Sequence, residues 1–190
     1  MTREPHIIFP LQHRLINVSE YYQMAEAGII RPAEKVELLF GKILSMRPVG
    51  VRHALCVKLI MHVLSNKLPE DIALSVQDPI RLDNHSEPEP DLAIIKGPLR
   101  RYIKQHPGPK DILLVIEVAD SSFEKDLHYK LPLYAQAGIP HCWIVDLNKN
   151  QVHVFSEPAG EQYKFRQILG VEEEVKVVPL DISLPVKDIL

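Results

Sequence analysis

The stretch 111-DILLVIEVADSS-122 decides how this chain is read. Between Ile112 and Ala119 it is apolar except for one acid, Glu117. A run so continuously apolar predicts a central strand with both faces covered. An ionised carboxylate in such a strand is expensive, because burying an unpaired charge costs several kcal/mol even after relaxation. Upstream, 87-EPEPDLAIIK-96 predicts a second strand, opening on Pro90-Asp91. The two strands are consecutive and predicted neighbours, so Asp91 and Glu117 can meet at one edge of the sheet. Their repulsion would have to be offset.

Working outward, 17-NVSEYYQMAEAGII-30 predicts a short helix with Ser19 as N-cap, Glu20 in the first turn and Gly28 at its end. The next stretch, 31–46, turns through Gly41 into a strand. From Val51 to Leu68, Val51, Leu55, Leu59, Val63 and Leu64 recur at helical spacing and predict a helix packed on the sheet, closed by Pro69. A strand over 73-ALSVQDPIRL-82 precedes the two already named. A helix over Asp126–Ala137 follows them, bent by Pro132 and ended by Gly138. Strands over 141-HCWIVDL-147 and 151-QVHVFSE-157 flank a turn at Asn148–Asn150, and the tail from Gln162 adds a strand or two and a docking segment. This order predicts an α/β fold with a mixed sheet.

With 190 residues, 46% of them hydrophobic, the chain suits one domain spanning 1–190, its core at about 18–160 and C-terminal strands beyond. Twenty-five acids against 22 bases give a net charge of −3, so any polyanion site must come from local charge. Two cysteines cannot form a disulfide framework, and MTREPHIIFPLQHR lacks the layout of a signal peptide. No apolar run approaches the roughly 20 residues of a membrane span. These features lead to the expectation of a cytoplasmic protein with no membrane partner.

Two readings of the acid pair stand side by side. A hard divalent ion such as Mg²⁺ would coordinate Asp91 and Glu117 together and keep both ionised. Alternatively Asp91 caps a turn and Glu117 pairs with a lysine or arginine. Lys130 and Asp126 lie four apart on the next helix, either over the carboxylates or as a solvated ion pair. Glu37 is an acid among apolar residues just before Gly41. His53, Cys56 and His62 do not make a zinc site, since His62 falls opposite His53 on a helix. His53 by itself is read as a packing or capping residue that can face the cleft. Cys142 beside His141 is read as a buried cysteine, and Lys125 and Lys149 as surface lysines.

In order and spacing, 19-SEYYQMAEAGII-30, 36-VELLFGKI-43, His53, 90-PDLAII-95, 113-LLVIEVADSS-122 and 126-DLHYKLPLYAQAGIPHCWIVDL-147 resemble the Uma2 or DUF820 group of restriction endonuclease-like proteins, assigned to the PD-(D/E)XK nuclease superfamily. The resemblance implies a restriction-endonuclease-like core, a mixed central β-sheet flanked by helices, with Asp91 and Glu117 as its acids. The superfamily lysine two residues after the second acid is Ala119 here, so that role passes to Lys130. Glu37 matches an N-terminal acid that joins the metal site in related folds, Asp126 the helical acid before the lysine, and Tyr134 an aromatic read as packing. His141-Cys142 departs from the group's pattern and leaves the role of that loop open.

The activity implied is metal-dependent hydrolysis of DNA phosphodiesters. Mg²⁺ or Mn²⁺ would be held by Asp91, Glu117 and the Val118 backbone carbonyl. Lys130 would orient water or offset transition-state charge, and Glu37 would serve a second metal or act through water. His53 and Asp126 are accessory candidates. Arg100, Arg101 and Lys104, in the acid-free loop between Lys96 and Lys110, either hold DNA phosphates or are simply solvated. One catalytic set per chain and two strands to cut suggest a homodimer. The alternative is a catalytically silent nuclease-like fold that binds DNA or protein.

Overall fold

The computed structural model describes residues 13–190. The stretch read for a signal-peptide layout lies, up to residue 12, outside the described residues. In chain order the elements are α1 (Val18–Glu26), β1 (Val36–Leu39), β2 (Lys42–Ser45), α2 (Val51–Ser65), β3 (Ile72–Val76), β4 (Leu92–Lys96) and β5 (Ile112–Ala119). Then come α3 (Phe123–Lys125), a π-helical turn at Asp126–Lys130, α4 (Leu131–Gln136), β6 (His141–Asp146), β7 (Gln151–Ala159), β8 (Gln162–Leu169), β9 (Glu174–Val177) and β10 (Ile182–Pro185).

Six strands make the central sheet in the order β3-β4-β5-β6-β7-β8. Among the described residues β5 and β6 alone run parallel, and the helical segment between them supplies the crossover such a pair requires. β5 is central, as its apolar run demanded, and period-two alternation divides its side chains between two cores. Leu114, Ile116 and Val118 pack with Cys56, Ile60 and Leu64 of α2 and with Val175, Leu184 and Ile189 of the C-terminal segment. Val115 and Ala119 pack on the opposite face with Leu131 and Tyr134 of α4 and with Leu39 of β1. Glu117 belongs by alternation to this second face, which aims it at α4.

Several boundaries differ from the sequence reading. α1 starts two residues earlier than the Ser19 cap requires, because Asn17 forms a reciprocal capping box with Glu20: the Glu20 N–H donates to Asn17 Oδ1 at 2.9 Å and the Asn17 N–H to Glu20 Oε2 at 3.0 Å. Residues 36–45 form a hairpin rather than one strand, so Glu37 stands on β1. α2 buries Cys56, Val57, Ile60 and Leu64, while Val51 and Leu55 face outward at 88% and 55% exposure. The apolar pattern fitted two overlapping stripes, and the one that meets the sheet won. β3 stops at Val76, since Gln77 takes a positive φ of 51° before Pro79. Helical geometry also begins at Phe123 rather than Asp126, and the π-helical turn stands just ahead of Pro132, which lacks the N–H a regular ladder would use.

The hairpin depends on its turn. Phe40 and Gly41 both have positive φ, 51° and 71°, as a two-residue hairpin turn requires. A Cβ on Gly41 would also lie 2.6 Å from Leu15 Cβ and 3.2 Å from the Ile16 nitrogen. Gly41→Ala is therefore expected to cost ~1–3 kcal/mol or more, from the left-handed backbone plus the clash. Urea unfolding followed by Trp143 fluorescence measures this, and a parent-like midpoint would refute it.

Candidate active site

The ends of β4 and β5, the N-terminus of α2, the open end of the β1–β2 hairpin and the 120–126 segment enclose a cleft of about 390 Å³. Asp91 lies one step beyond the Leu92–Ile116 pair, which sets it opposite Glu117. The two carboxylates sit on adjacent strands and line one cleft.

Each has one oxygen held by the protein. Glu117 Oε1 accepts from Lys130 Nζ at 3.0 Å and from the Tyr134 hydroxyl at 2.5 Å. Asp91 Oδ2 accepts from the Val118 N–H at 2.8 Å and pairs with His53 Nε2 at 3.0 Å. Glu117 Oε2 and Asp91 Oδ1 make no hydrogen bond among the described residues, which leaves one oxygen of each acid for a ligand.

Lys130 is the hub. Besides Glu117 it reaches Glu37 Oε2 at 3.2 Å and donates to the Glu89 carbonyl at 3.1 Å, in a position only 4% exposed. Glu37, only 1% exposed, spends its other oxygen on Lys125 at 2.5 Å and accepts the Glu89 N–H at 3.3 Å. Both Glu37 oxygens are thus engaged, and the residue positions Lys130. Lys125 is not the surface lysine the sequence suggested: its ammonium is spent on a buried acid. Lys149 lies over the Phe123 ring, 5.8 Å from its centroid.

Asp126 does not pair with Lys130. Its Oδ2 accepts from the Ser122 hydroxyl at 2.6 Å, while the π-helical turn carries Lys130 inward. Tyr134, read as packing, bonds the central acid. Its i,i+4 spacing from Lys130 was the available signal. Arg100, Arg101 and Lys104 are not brought to the cleft. They follow Lys96, at the end of β4 away from Asp91, and Arg101 is paired with Asp111 at 3.2 Å. His62 is exposed, and Cys142 is buried with no disulfide partner.

The electrostatics fit a site short of positive charge. Burial pushes Glu117 up to about 8 against the pull of Lys130, and Asp126 and Asp91 push the same way. Asp126 is raised to about 6, mainly by burial. Burial works against the charge on Lys130, but Glu117, Glu37 and Asp126 outweigh it and hold the ammonium above the ordinary lysine range. The hydrogen bond to Asp91 raises His53.

No three His, Cys, Asp or Glu side chains form a ready ligand cage among the described residues. A small hard cation that keeps several waters needs only one or two carboxylates, and Asp91 and Glu117, each with a free oxygen, meet that requirement.

Residues 18–187 match the profile of the Uma2 family, described as "Putative restriction endonuclease". The chain belongs to this family. Its fold is similar to a solved structure from Anabaena variabilis, titled a "putative nuclease belonging to DUF820", at a TM-score of 0.69 and 15% identity, with 92% of this chain and 97% of that chain covered. No curated protein matches. The restriction-endonuclease-like core of Uma2 is therefore the frame in which these side chains sit.

The raised carboxyls fix a pH dependence. Native Glu117 keeps its proton from 4.5 up to about 8, a window in which the unfolded chain has released it. Metal-free stability must then fall as pH rises through that window, with Asp126 contributing between 3.8 and about 6. His53, raised by its partner, also contributes stability that is lost as pH rises. Urea midpoints in chelator should decline with pH, and Glu117→Gln should flatten the decline. A parent midpoint that rises with pH, or an unchanged slope in the variant, contradicts the assignment.

Proposed function

We propose that this Uma2 protein is a metal-dependent endonuclease that hydrolyses DNA phosphodiester bonds. The observation that carries the reading is the pairing of Asp91 and Glu117, each with one oxygen anchored and one free, beside a buried lysine bonded to Glu117. Asp91, Glu117 and the Val118 backbone carbonyl would hold Mg²⁺ or Mn²⁺. Bound there, the ion supplies charge neutralisation at the phosphate and a more acidic water.

The protein groups do the rest. Val118 N–H and His53 fix the Asp91 carboxylate, and Tyr134 and Lys130 fix that of Glu117. Lys130, held by Glu37 and the Glu89 carbonyl, orients the attacking water or offsets charge building on the phosphate as one P–O bond forms and another breaks. Asp126, bonded to Ser122, supports the turn that delivers Lys130. With one such set per chain, a two-fold dimer would cut both strands.

Plasmid nicking in Mg²⁺ and Mn²⁺, with calorimetric metal titration of the same preparation, tests this. Asp91→Ala and Glu117→Ala should each abolish metal binding and nicking. Metal binding by the parent without nicking of any nucleic acid would favour a silent binding module.

Lys130→Ala should lower single-turnover nicking by roughly 10²–10³, as when one charge-stabilising donor leaves a preorganised site. Lys149→Ala should match the parent. Parent-like nicking by folded Lys130→Ala would sink the catalytic assignment.

A further inference from the structure

We propose that Lys35 and Arg47 form a phosphate clamp at the open end of the β1–β2 hairpin, holding the nucleic-acid backbone on that side of the cleft. The class of ligand rests on the nuclease reading above, but the choice of residues does not. Among the described residues, four lysines and arginines line the cleft: Lys35, Arg47, Lys125 and Lys130. Lys125 and Lys130 are both ion-paired to Glu37. Lys35 and Arg47 are exposed and make no ion pair with an acid among the described residues. Arg47 only reaches the Ser121 carbonyl, at 3.4 Å. Burial raises the Glu89 carboxyl, and Lys35 pulls against that rise without forming a bridge to it.

The backbone joins the two cations into one feature. The Met46 N–H donates to the Lys35 carbonyl at 2.8 Å, extending the ladder one step beyond the Val36–Ser45 pair. Lys35 therefore stands across from Met46, with Arg47 the next residue out at the same open end, and both line the cleft. Lys35 is also two residues from Glu37, so alternation aims both at the same face. A rigid element that anchors the catalytic lysine through Glu37 would thus also carry the cations that meet the substrate.

Electrostatics gives such a clamp a task. The cleft is lined by more acids than bases, among them Glu89, Asp91, Asp120 and Glu124. A polyanion entering it is repelled unless cations at the mouth hold its phosphates. Cations already tied to protein acids contribute little, whereas free ones release counterions and add salt-dependent affinity. Contacts of this kind set position and orientation on the backbone without reading sequence. The basic loop between Lys96 and Lys110 does not meet these conditions: it lies at the far end of β4, and Arg101 is bound to Asp111.

Fluorescence anisotropy of a short labelled DNA duplex, titrated with full-length protein in Ca²⁺ at rising KCl, tests the clamp. Lys35→Gln and Arg47→Gln should each weaken binding and reduce the slope of log K against log salt by about 1, and the double variant by about 2. Lys176→Gln, at an exposed position of β9, should leave both unchanged. Thermal melts that match the parent check that the variants fold. If both variants bind with parent-like affinity and slope while the parent nicks DNA, the clamp is overturned and the nuclease reading stands. A larger loss in Arg101→Gln than in either clamp variant also overturns it. A parent that neither binds nor nicks DNA overturns both.

Discussion

The site hangs on one buried ammonium. Lys130 joins Glu117 of β5, Glu37 of β1 and the backbone of Glu89 ahead of β4, so three otherwise separate segments meet at a single cation. Such a network is a poor way to gain stability. Desolvating the ions costs about as much as their attraction returns, and well-packed apolar residues of similar volume often do as well or better. Breaking it is a different matter, since loss of one partner strands a buried charge at about 3–5 kcal/mol. The arrangement therefore fixes geometry at little net gain, which suits a site whose parts must be held in register.

The surrounding fold explains how the hub is reached. Alternation along β5 sends Ile116 and Val118 toward α2 and turns Glu117 toward α4. The parallel β5–β6 pair forces a crossover, and that crossover is the helical segment bearing Lys130 and Tyr134. The π-helical turn spans Asp126–Lys130, and both of these charged residues are buried. π-turns of this kind recur at functional sites because they re-aim side chains without ending the helix.

Much of this was legible in the sequence. The apolar run around Glu117 announced a central strand, and the alternation of helices and strands announced a mixed α/β sheet. Glu117 could be singled out because charge in an apolar setting is costly and so conspicuous; Asp91 followed from its place on the neighbouring strand, and Lys130 from the resemblance to the Uma2 group. What stayed hidden depended on partners distant in the chain. Glu37 was visible as an odd acid, but its place between Lys125 and Lys130 follows from a hairpin that the sequence reading took for a single strand. His53 looked like packing because nothing local ties it to Asp91, 38 residues away. The basic loop attracted attention through local charge density, which says nothing about which end of β4 it occupies.

The two acids are organised alike although their surroundings differ. Glu117 is anchored by charged and hydroxyl donors from a helix, whereas Asp91 is anchored by a backbone N–H of the neighbouring strand and a histidine. In each case one oxygen is held and the other is left without a protein partner among the described residues. Anchoring fixes the plane and direction of a carboxylate before any ligand arrives, so the ordering cost is met by the fold rather than by binding. Such anchoring also has a limit. Donors on Oδ2 and Oε1 compete with any ligand for those same oxygens, so each acid offers a single oxygen on current terms. A cation between them must then complete its shell from water, backbone carbonyl or phosphate oxygen, and the coordination positions open to a substrate are those the protein does not fill.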